Sequence, residues 1–447
     1  MAYSPHTDAD RERMLAAIGV ASVDELFADI PASVRPTSFE LPPPMVEQQV
    51  RAELARLAGL NRIPEVSFLG AGAYRHLIPS VVWEVIGRSE FSTSYTPYQP
   101  EVSQGTLQSI YEFQSLICEL TGMEVATASH YDGATATAEA ALMACRLTRR
   151  DRIAISSAVN PQVRRVLATY CSGPGIEVVD VAADLAEGGS GLTPVAAANA
   201  VLDDSVACLV VQQPNFFGGL EPMRELADAA HAAGAQLVAV VEPVSLAVLE
   251  PPGAYGADLV AAEGQPLGIP LSYGGPYVGL MAAPMSAVRQ MPGRLVGATH
   301  DAEGRRGYVL TLQAREQHIR REKAASNICT NQALCALAAT AYLSAVGPQG
   351  LREVAELSTV QARHLVAAIE EAGLGERRFS APYFGEVALH LPDAARRHAA
   401  LLERGIVAGY ELSRDYPQLD DTLLLAATEL TTDEQVDRLV EALKAAA

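Results

Sequence analysis

The middle of the chain alternates short apolar or β-branched runs with stretches of helical periodicity. The runs predict strands at residues 152–156, 176–181, 206–211, 236–241, 258–262 and 277–282. Helical segments such as 160–170 and 222–233 separate several of these strands. Because strands that alternate with helices form sheets covered on both faces, the pattern predicts an α/β fold with a mixed, mostly parallel sheet.

Helical patterns flank this region on both sides. Val46, Val50, Leu54 and Leu57 recur at helical spacing after three prolines, which predicts an N-terminal helical arm that packs on something larger. Helices are also predicted at 105–120, 133–147, 393–404 and 432–446, with two long helices after Asn331 and short strands near 386–390 and 422–426. We therefore expect an arm (1–65), a large α/β domain (66–330) and a small α+β domain (331–447).

The overall composition narrows the possible partners and compartments. Of the 447 residues, 33 are basic and 53 acidic, a net charge of −20, which argues against a nucleic-acid or membrane surface. The 49% hydrophobic content predicts that apolar surface meets a partner chain. The six cysteines form no CxxC pair, and the sequence contains no signal-peptide pattern and no apolar run of membrane-spanning length. We expect a cytoplasmic protein.

Several catalytic chemistries are excluded by inspection. Lys323 and Lys444 are the only lysines, and neither follows glycine, so a phosphate-binding GxxxxGK loop is absent. The sequence has no GxGxxG or GxSxG motif. The nine histidines do not cluster with cysteines or carboxylates at metal-ligand spacing, so we expect no metal site.

Residues 94–105, which we call the tyrosine loop, carry polar groups without helical or strand periodicity. Prolines at 97 and 100 stiffen the segment and would hold Tyr95, Tyr98, Gln99 and Glu101 in fixed directions. Such a loop suits hydrogen bonding to a polar ligand. The alternative is a tight turn that buries its tyrosines.

Two glycine-containing segments allow both functional and structural interpretations. Gly133 and small hydroxyl residues open a predicted helix, whose free N–H groups could hold an anion such as phosphate, or could serve only close helix packing. Residues 263–279 form a Gly- and Pro-rich loop whose backbone can approach another group closely, or a plain hairpin.

Residues 311–330, the basic segment, oppose the overall charge of the protein. Six cations against two glutamates lie between 305 and 323, in a stretch whose periodicity resembles a helix. We expect Arg315, His318, Arg320 and Lys323 to bind an anion or an acidic partner. A solvated helix face is the alternative.

Four motifs together resemble one family, the glycine decarboxylase or P-protein of the glycine cleavage system, in its two-chain form. The motifs are YTPYQPEVSQG (95–105), EGQPLGIPLSYGGPY (263–277), MPGRLVG (291–297) and REQHIRREKAASNICT (315–330). The resemblance implies a fold-type I pyridoxal-phosphate architecture. It also implies that the cofactor, bound to a catalytic chain, forms an imine with glycine, and that the aminomethyl group passes to the lipoyl arm of the H-protein as CO₂ leaves.

The lysine positions assign this chain a role within that family. In this fold a cofactor-holding lysine would follow the strand DLVAAE, near Gln265, whereas the nearest lysine lies at 323. The strand at 236–242 ends in Glu242 and Pro243, where a cofactor-binding chain would offer an aspartate. Both departures match the non-catalytic chain, and both argue against a cofactor role for residues 133–137. The resemblance thus implies no covalent cofactor here, with pyridoxal 5'-phosphate in the partner chain of an α₂β₂ assembly.

Three hypotheses follow. In the favoured one, this chain completes the active site of a homologous catalytic chain, with Tyr95, Tyr98, Gln99 and Glu101 contributing to that site. In the second, it is an inert scaffold that stabilises its partner and docks the H-protein. In the third, it is an independent pyridoxal-phosphate enzyme that uses Lys323.

Overall fold

The computed structural model describes residues 5–36 and 38–446. The helices are α1 (Asp8–Ile18), α2 (Glu47–Ala58), α3 (Ser80–Ile86), α4 (Ser89–Ser92), α5 (Gln104–Thr121), α6 (Gly133–Thr148), α7 (Pro161–Ser172), α8 (Val195–Val201), α9 (Met223–Ala232), α10 (Gln317–Arg320), α11 (Ala333–Glu371), α12 (Ala394–Leu402) and α13 (Asp433–Ala445). The chain divides into two compact units between Arg62 and Ile63. The division into three domains with boundaries at 65 and 330 stays a prediction.

The strands are β1 (Val66–Ser67), β2 (Val125–Ala126), β3 (Arg152–Ser156), β4 (Glu177–Val181), β5 (Val206–Gln213), β6 (Gln236–Val241), β7 (Leu259–Glu263), β8 (Gly279–Ala283), β9 (Leu295–His300), β10 (Arg306–Thr311), β11 (Glu376–Arg377), β12 (Glu386–His390), β13 (Ile406–Val407), β14 (Tyr410–Glu411) and β15 (Thr422–Ala426). Seven of them form the main sheet in the order β2-β8-β7-β6-β5-β3-β4. Only β8 pairs antiparallel with its neighbours, β7 and β2, so the predicted mixed, mostly parallel sheet is confirmed.

The main sheet is covered on both faces, because successive apolar side chains of a strand point to opposite faces and each face needs a cover. In β6, Leu237 and Ala239 pack into one apolar cluster, while Val238 and Val240 pack into the other. Helix α6 lies on the second face, where most of its small side chains are buried. This two-sided burial explains why the strands read as continuous apolar runs.

A four-stranded antiparallel sheet, β11-β12-β15-β14, forms beside the main sheet and packs against α11, α12 and α13. Helix α11 spans the region where we expected two long helices, and its backbone leaves helical geometry at Gly347, which has a φ of 62° and precedes Pro348. The expectation of two helices therefore holds for the two halves of α11, which follow each other without a loop.

In the region 295–330 the sequence analysis missed one element, and one of its expectations was wrong. Residues 295–311 form an antiparallel hairpin, β9–β10, that the apolar pattern did not predict. The helix suggested for the basic segment is also absent: α10 has four residues and lies between two short 3₁₀ turns. The backbone changes direction at Leu312 and Arg321, which both have positive φ, and a helix cannot continue through such residues.

Candidate active-site surface

Two glutamines on α5 fix the tyrosine loop against the β9–β10 hairpin. The Gln104 side chain donates to the carbonyl of Tyr308 at 2.9 Å and accepts from the N–H of the same residue at 2.9 Å. Gln114 makes the same paired contact with Val296, at 3.0 and 2.9 Å. Gln104 also donates to the Pro100 carbonyl at 2.7 Å, so loop, helix and hairpin are joined by side-chain amides that mimic strand pairing.

This arrangement brings the tyrosine loop and the basic segment together. Arg294, which directly precedes β9, donates from Nη2 to the Tyr98 hydroxyl at 3.2 Å, and its guanidinium carbon lies 5.6 Å from the centre of the Tyr98 ring. On the other side, Arg294 Nε lies 3.7 Å from Glu316 Oε2. His318 Nδ1 is 3.6 Å from the same carboxylate oxygen, and its ring centre lies 6.4 Å from that of Tyr98.

The four candidate side chains of the tyrosine loop are exposed to solvent. Tyr95 is 76% exposed and Tyr98 49% exposed, and Gln99 and Glu101 are exposed as well, so the tyrosines are not buried in a tight turn. Pro97 is buried beneath them. The loop therefore presents phenols, an amide and a carboxylate on an anchored backbone. Their part in catalysis stays a prediction.

The four cationic candidates of the basic segment lie in different environments. Arg315 donates to the carbonyls of Leu312 at 3.1 Å, of Gly293 at 3.0 Å and of Met291, so its guanidinium joins the basic segment to the loop before β9. Arg320 and Lys323 are exposed, as is His318. The exposed residues remain accessible to an anionic group, and that role stays a prediction for all four.

A separate cleft of about 480 Å³ lies at the carboxyl ends of the parallel strands. This edge is where open α/β sheets bind ligands. The described residues that line it include Asp132, Glu242 and Glu263 but no Lys, Arg or His. This lining offers a phosphate group no cationic side chain.

Glu263 occupies the start of α6, where the sequence suggested an anion site. Its Oε2 accepts from the N–H of Gly133 at 2.9 Å, at the start of α6, and its Oε1 accepts from Gln265 at 3.0 Å and Val278 at 3.3 Å. Burial raises the pKa of Glu263 to about 7, although these donors favour the charged form. Gly133 has no space for a side chain, since an added Cβ would lie 2.6 Å from the Glu263 nitrogen.

Gln265, which stands near the position expected for a cofactor-binding lysine, forms hydrogen bonds with the backbone. The Gln265 side chain accepts from the Tyr74 N–H at 2.8 Å and donates to the Tyr74 carbonyl at 2.8 Å and to the Ile269 carbonyl at 2.7 Å. At the end of β6, Glu242 accepts from the N–H groups of Val244 and Ser245. The residues of this cleft do not fit pyridoxal phosphate. Lys323 does not line the cleft.

Sequence reasoning missed two parts of the site. Arg294 stands within the MPGRLVG motif, but the pattern gave no sign that it contacts Tyr98, which is 196 residues away in sequence. It also missed a buried cluster at the border of the small sheet. There the Glu386 carboxylate accepts from the Tyr74 hydroxyl at 2.8 Å, and His76 contacts Glu429 at 2.7 Å.

The fold defines the class of the protein. It is the α/β fold of pyridoxal-phosphate-dependent enzymes of fold type I, shared for example with the glutamate decarboxylase of Lactobacillus brevis. That structure has a TM-score of 0.69 at 14% identity over 94% of this chain and 97% of that chain. A crystal structure of the glycine decarboxylase (P-protein) of the glycine cleavage system, in inhibitor-bound form, gives a TM-score of 0.92 at 46% identity, with all of both chains covered.

Sequence comparison then gives the family. A family model described as glycine cleavage system P-protein matches residues 1–443. A probable glycine dehydrogenase (decarboxylating) subunit 1 from Moorella thermoacetica is 53% identical over 449 residues, which cover 99% of each chain. The chain belongs to the glycine cleavage system P-protein family, as the motifs of the tyrosine loop and basic segment predicted.

Helix α11 is the one helix within the described residues that is long and apolar enough to cross a membrane. Part of this helix is buried inside the protein, since Ala339, Tyr342 and Leu365 are fully buried in the apolar clusters. The helix is therefore part of the core of this fold.

Proposed function

We propose that this chain is subunit 1 of a two-chain glycine dehydrogenase (decarboxylating), and that it completes an active site whose pyridoxal phosphate is held by subunit 2. Together the two chains convert glycine and the oxidised lipoyl group of the H-protein into CO₂ and an aminomethyl-dihydrolipoyl group, in which the disulfide has opened to one S-aminomethyl group and one thiol. The alternative within the same family is an inert scaffold for the partner and the H-protein.

The observation that carries the proposal is that the chain's own side chains occupy the cleft at the carboxyl ends of the parallel strands. Glu263 occupies the anion position at the start of α6, and the side-chain amide of Gln265 is hydrogen-bonded to the backbone of Tyr74. A chain built in this way needs its cofactor chemistry supplied by another chain. The names of its relatives, which call them subunit 1, support a subunit 2 that does so.

This chain would contribute polar groups rather than a nucleophile. The exposed phenols of Tyr95 and Tyr98, with Gln99 and Glu101, lie on a backbone held by Gln104. Such groups can hydrogen-bond a small zwitterion and position it for reaction. The exposed cations Arg320 and Lys323 would bind a carboxylate, a phosphate or an acidic partner.

The test is to express subunit 1 and subunit 2 separately and together, and to assay glycine decarboxylation with lipoyl H-protein. We expect activity only in the combined sample, pyridoxal-phosphate absorbance only in samples with subunit 2, and an α₂β₂ mass in sedimentation. Activity of subunit 2 alone at the combined rate would leave this chain as a scaffold. A well-behaved monomer that is unaffected by subunit 2 would contradict the assembly.

A further inference from the structure

We infer that Arg294 is a positioning residue for Tyr98, with Glu316 as its buried counter-ion, so that the tyrosine loop and the basic segment act as one unit. This inference deepens the proposed function and rests on it. It concerns how Tyr98 is held. Arg294 contacts Tyr98 and Glu316 and does not line the cleft at the carboxyl ends of the parallel strands.

Arg294 holds the Tyr98 phenol by two contacts. Its Nη2 donates to the phenol oxygen at 3.2 Å, and its guanidinium carbon lies 5.6 Å from the ring centre, within the range of a cation–π interaction. The hydroxyl and the ring are thus both restrained by a single side chain. Tyr98 is half exposed, so these contacts limit how far its side chain can rotate.

The backbone around Arg294 and its buried side chain are both held in place. Its carbonyl accepts from the Ala128 N–H at 2.9 Å, and the preceding Gly293 carbonyl accepts from Arg315 at 3.0 Å. The side chains of Arg294 and Glu316 are 7% and 8% exposed. A charge this deeply buried requires a partner of opposite sign, so Glu316 fixes where the guanidinium lies.

The shape of the guanidinium explains why arginine serves here. Nε points to Glu316 Oε2 at 3.7 Å and forms no hydrogen bond, while Nη2 reaches Tyr98. One planar group thereby bridges two segments that are distant in the chain. A lysine would keep the charge, but its single ammonium would not bridge both partners in this way. R294K therefore separates the loss of the bridge from the loss of the charge.

Amide hydrogen exchange in the complete two-chain complex tests the positioning directly. The N–H groups of Tyr98, Val102 and Ser103 are hydrogen-bonded within the tyrosine loop, so their exchange reports its opening. We expect about tenfold faster exchange across residues 96–103 in R294K and E316Q. The control is R397Q, which alters another buried arginine, one that donates to the Leu374 carbonyl. Unchanged exchange in the tyrosine loop of R294K would overturn the inference.

A kinetic double-mutant cycle tests whether Arg294 acts through Tyr98. We expect R294K to lower kcat about tenfold in the wild-type background but by less than about twofold in the Tyr98→Phe background. The KM for glycine should follow the same pattern, with a larger change in the wild-type background than in the Tyr98→Phe background. Equal losses in the two backgrounds would overturn the inference and leave the proposed function intact. A silent Tyr98→Phe variant would contradict the use of the loop in catalysis, and the exchange result would then decide alone whether Arg294 positions Tyr98.

Discussion

The Glu263 carboxylate accepts a hydrogen bond from the Gly133 N–H at 2.9 Å, at the N-terminus of α6. Helix N-termini bind anions because their N–H groups are unpaired and the helix dipole is positive there. In this chain an internal carboxyl group takes the place of a bound anion. An incoming phosphate would have to displace a buried carboxylate from a cleft that also contains Asp132 and Glu242.

We therefore expect that a lysine alone does not restore cofactor binding. The isolated chain and its Gln265→Lys variant should show no pyridoxal-phosphate imine absorbance, whereas Gln265→Lys combined with Glu263→Ala should show it. Borohydride reduction and mass spectrometry of the labelled peptide measure the outcome. A reducible adduct on Lys323, or on the single Gln265→Lys variant, would contradict the argument.

The contrast between the main sheet and the hairpin shows what sequence patterns can predict. Strands such as β6 are buried on both faces, so their apolar runs are unmistakable, and the fold follows from them. In β9, Leu295 and Val296 are buried, but residues 298–300 are exposed, so the strand has no continuous apolar run. Its position depends instead on Gln114 and Gln104, whose partners are 182 and 204 residues away. Contacts of that range leave no local signal.

The candidate site, too, was predictable only in part: its segments could be found in the sequence, but not the contacts between them. The prolines of the tyrosine loop indicated a stiff backbone, and the loop is indeed anchored, through Gln104. The charge count singled out the basic segment. The use of Arg315 to clamp backbone carbonyls could not be inferred, because a guanidinium that binds anions and one that binds carbonyls look the same in a sequence.

Glu386 gives a prediction for pH-dependent stability. Burial raises its pKa to about 7 in the folded chain, against an ordinary value near 4.5. The folded state then keeps a proton that the unfolded state releases, so the free energy of unfolding falls as the pH rises from about 4.5 to 7. The shift corresponds to at most ~3 kcal/mol. We expect Glu386→Gln to reduce this decline in thermal melts between pH 5 and 8.

The matched control for this experiment is Glu376→Gln, at an exposed position in β11. It should melt like the wild type at every pH. Some decline should persist in Glu386→Gln because burial also raises the pKa values of Glu221 and Glu263 to about 7. A wild-type slope in Glu386→Gln would show that this carboxyl is ionised in the folded chain.

The apolar stripe of α2 gives a prediction for assembly. Leu54 and Leu57 are 59% and 44% exposed, and no residue of α2 is buried. Exposed apolar side chains at helical spacing are typical of an interface. We expect Leu54→Glu to weaken association with subunit 2 at least tenfold in sedimentation, while Arg51→Glu, on the same helix, does not. Equal association of the two variants would exclude the stripe from the interface.

Arg320 gives a prediction for anion recognition. Its side chain is exposed, as is that of Lys323, and it donates to the Ala314 carbonyl at 3.1 Å. Charge reversal in Arg320→Glu should impair assembly or raise the H-protein concentration needed for half-maximal rate. Arg305→Glu is the control, since that arginine pairs with Asp301 and Glu303 at the tip of the hairpin. Unchanged assembly and kinetics in Arg320→Glu would show that this side chain is solvated surface and binds no anion or partner.

Tyr95 gives the most direct test of the tyrosine loop. Its ring is 76% exposed in this chain, so the hydroxyl contributes little to the stability of the fold. If the hydroxyl binds glycine or the lipoyl arm in the transition state, Tyr95→Phe should lower turnover about tenfold or more, the effect of losing ~1.4 kcal/mol. Cofactor content, assembly and melting temperature should stay normal. The control is Tyr383→Phe in the C-terminal region. If Tyr95→Phe, Tyr98→Phe and Glu101→Gln all keep full turnover, the loop does not position substrate, and the scaffold hypothesis explains the chain better.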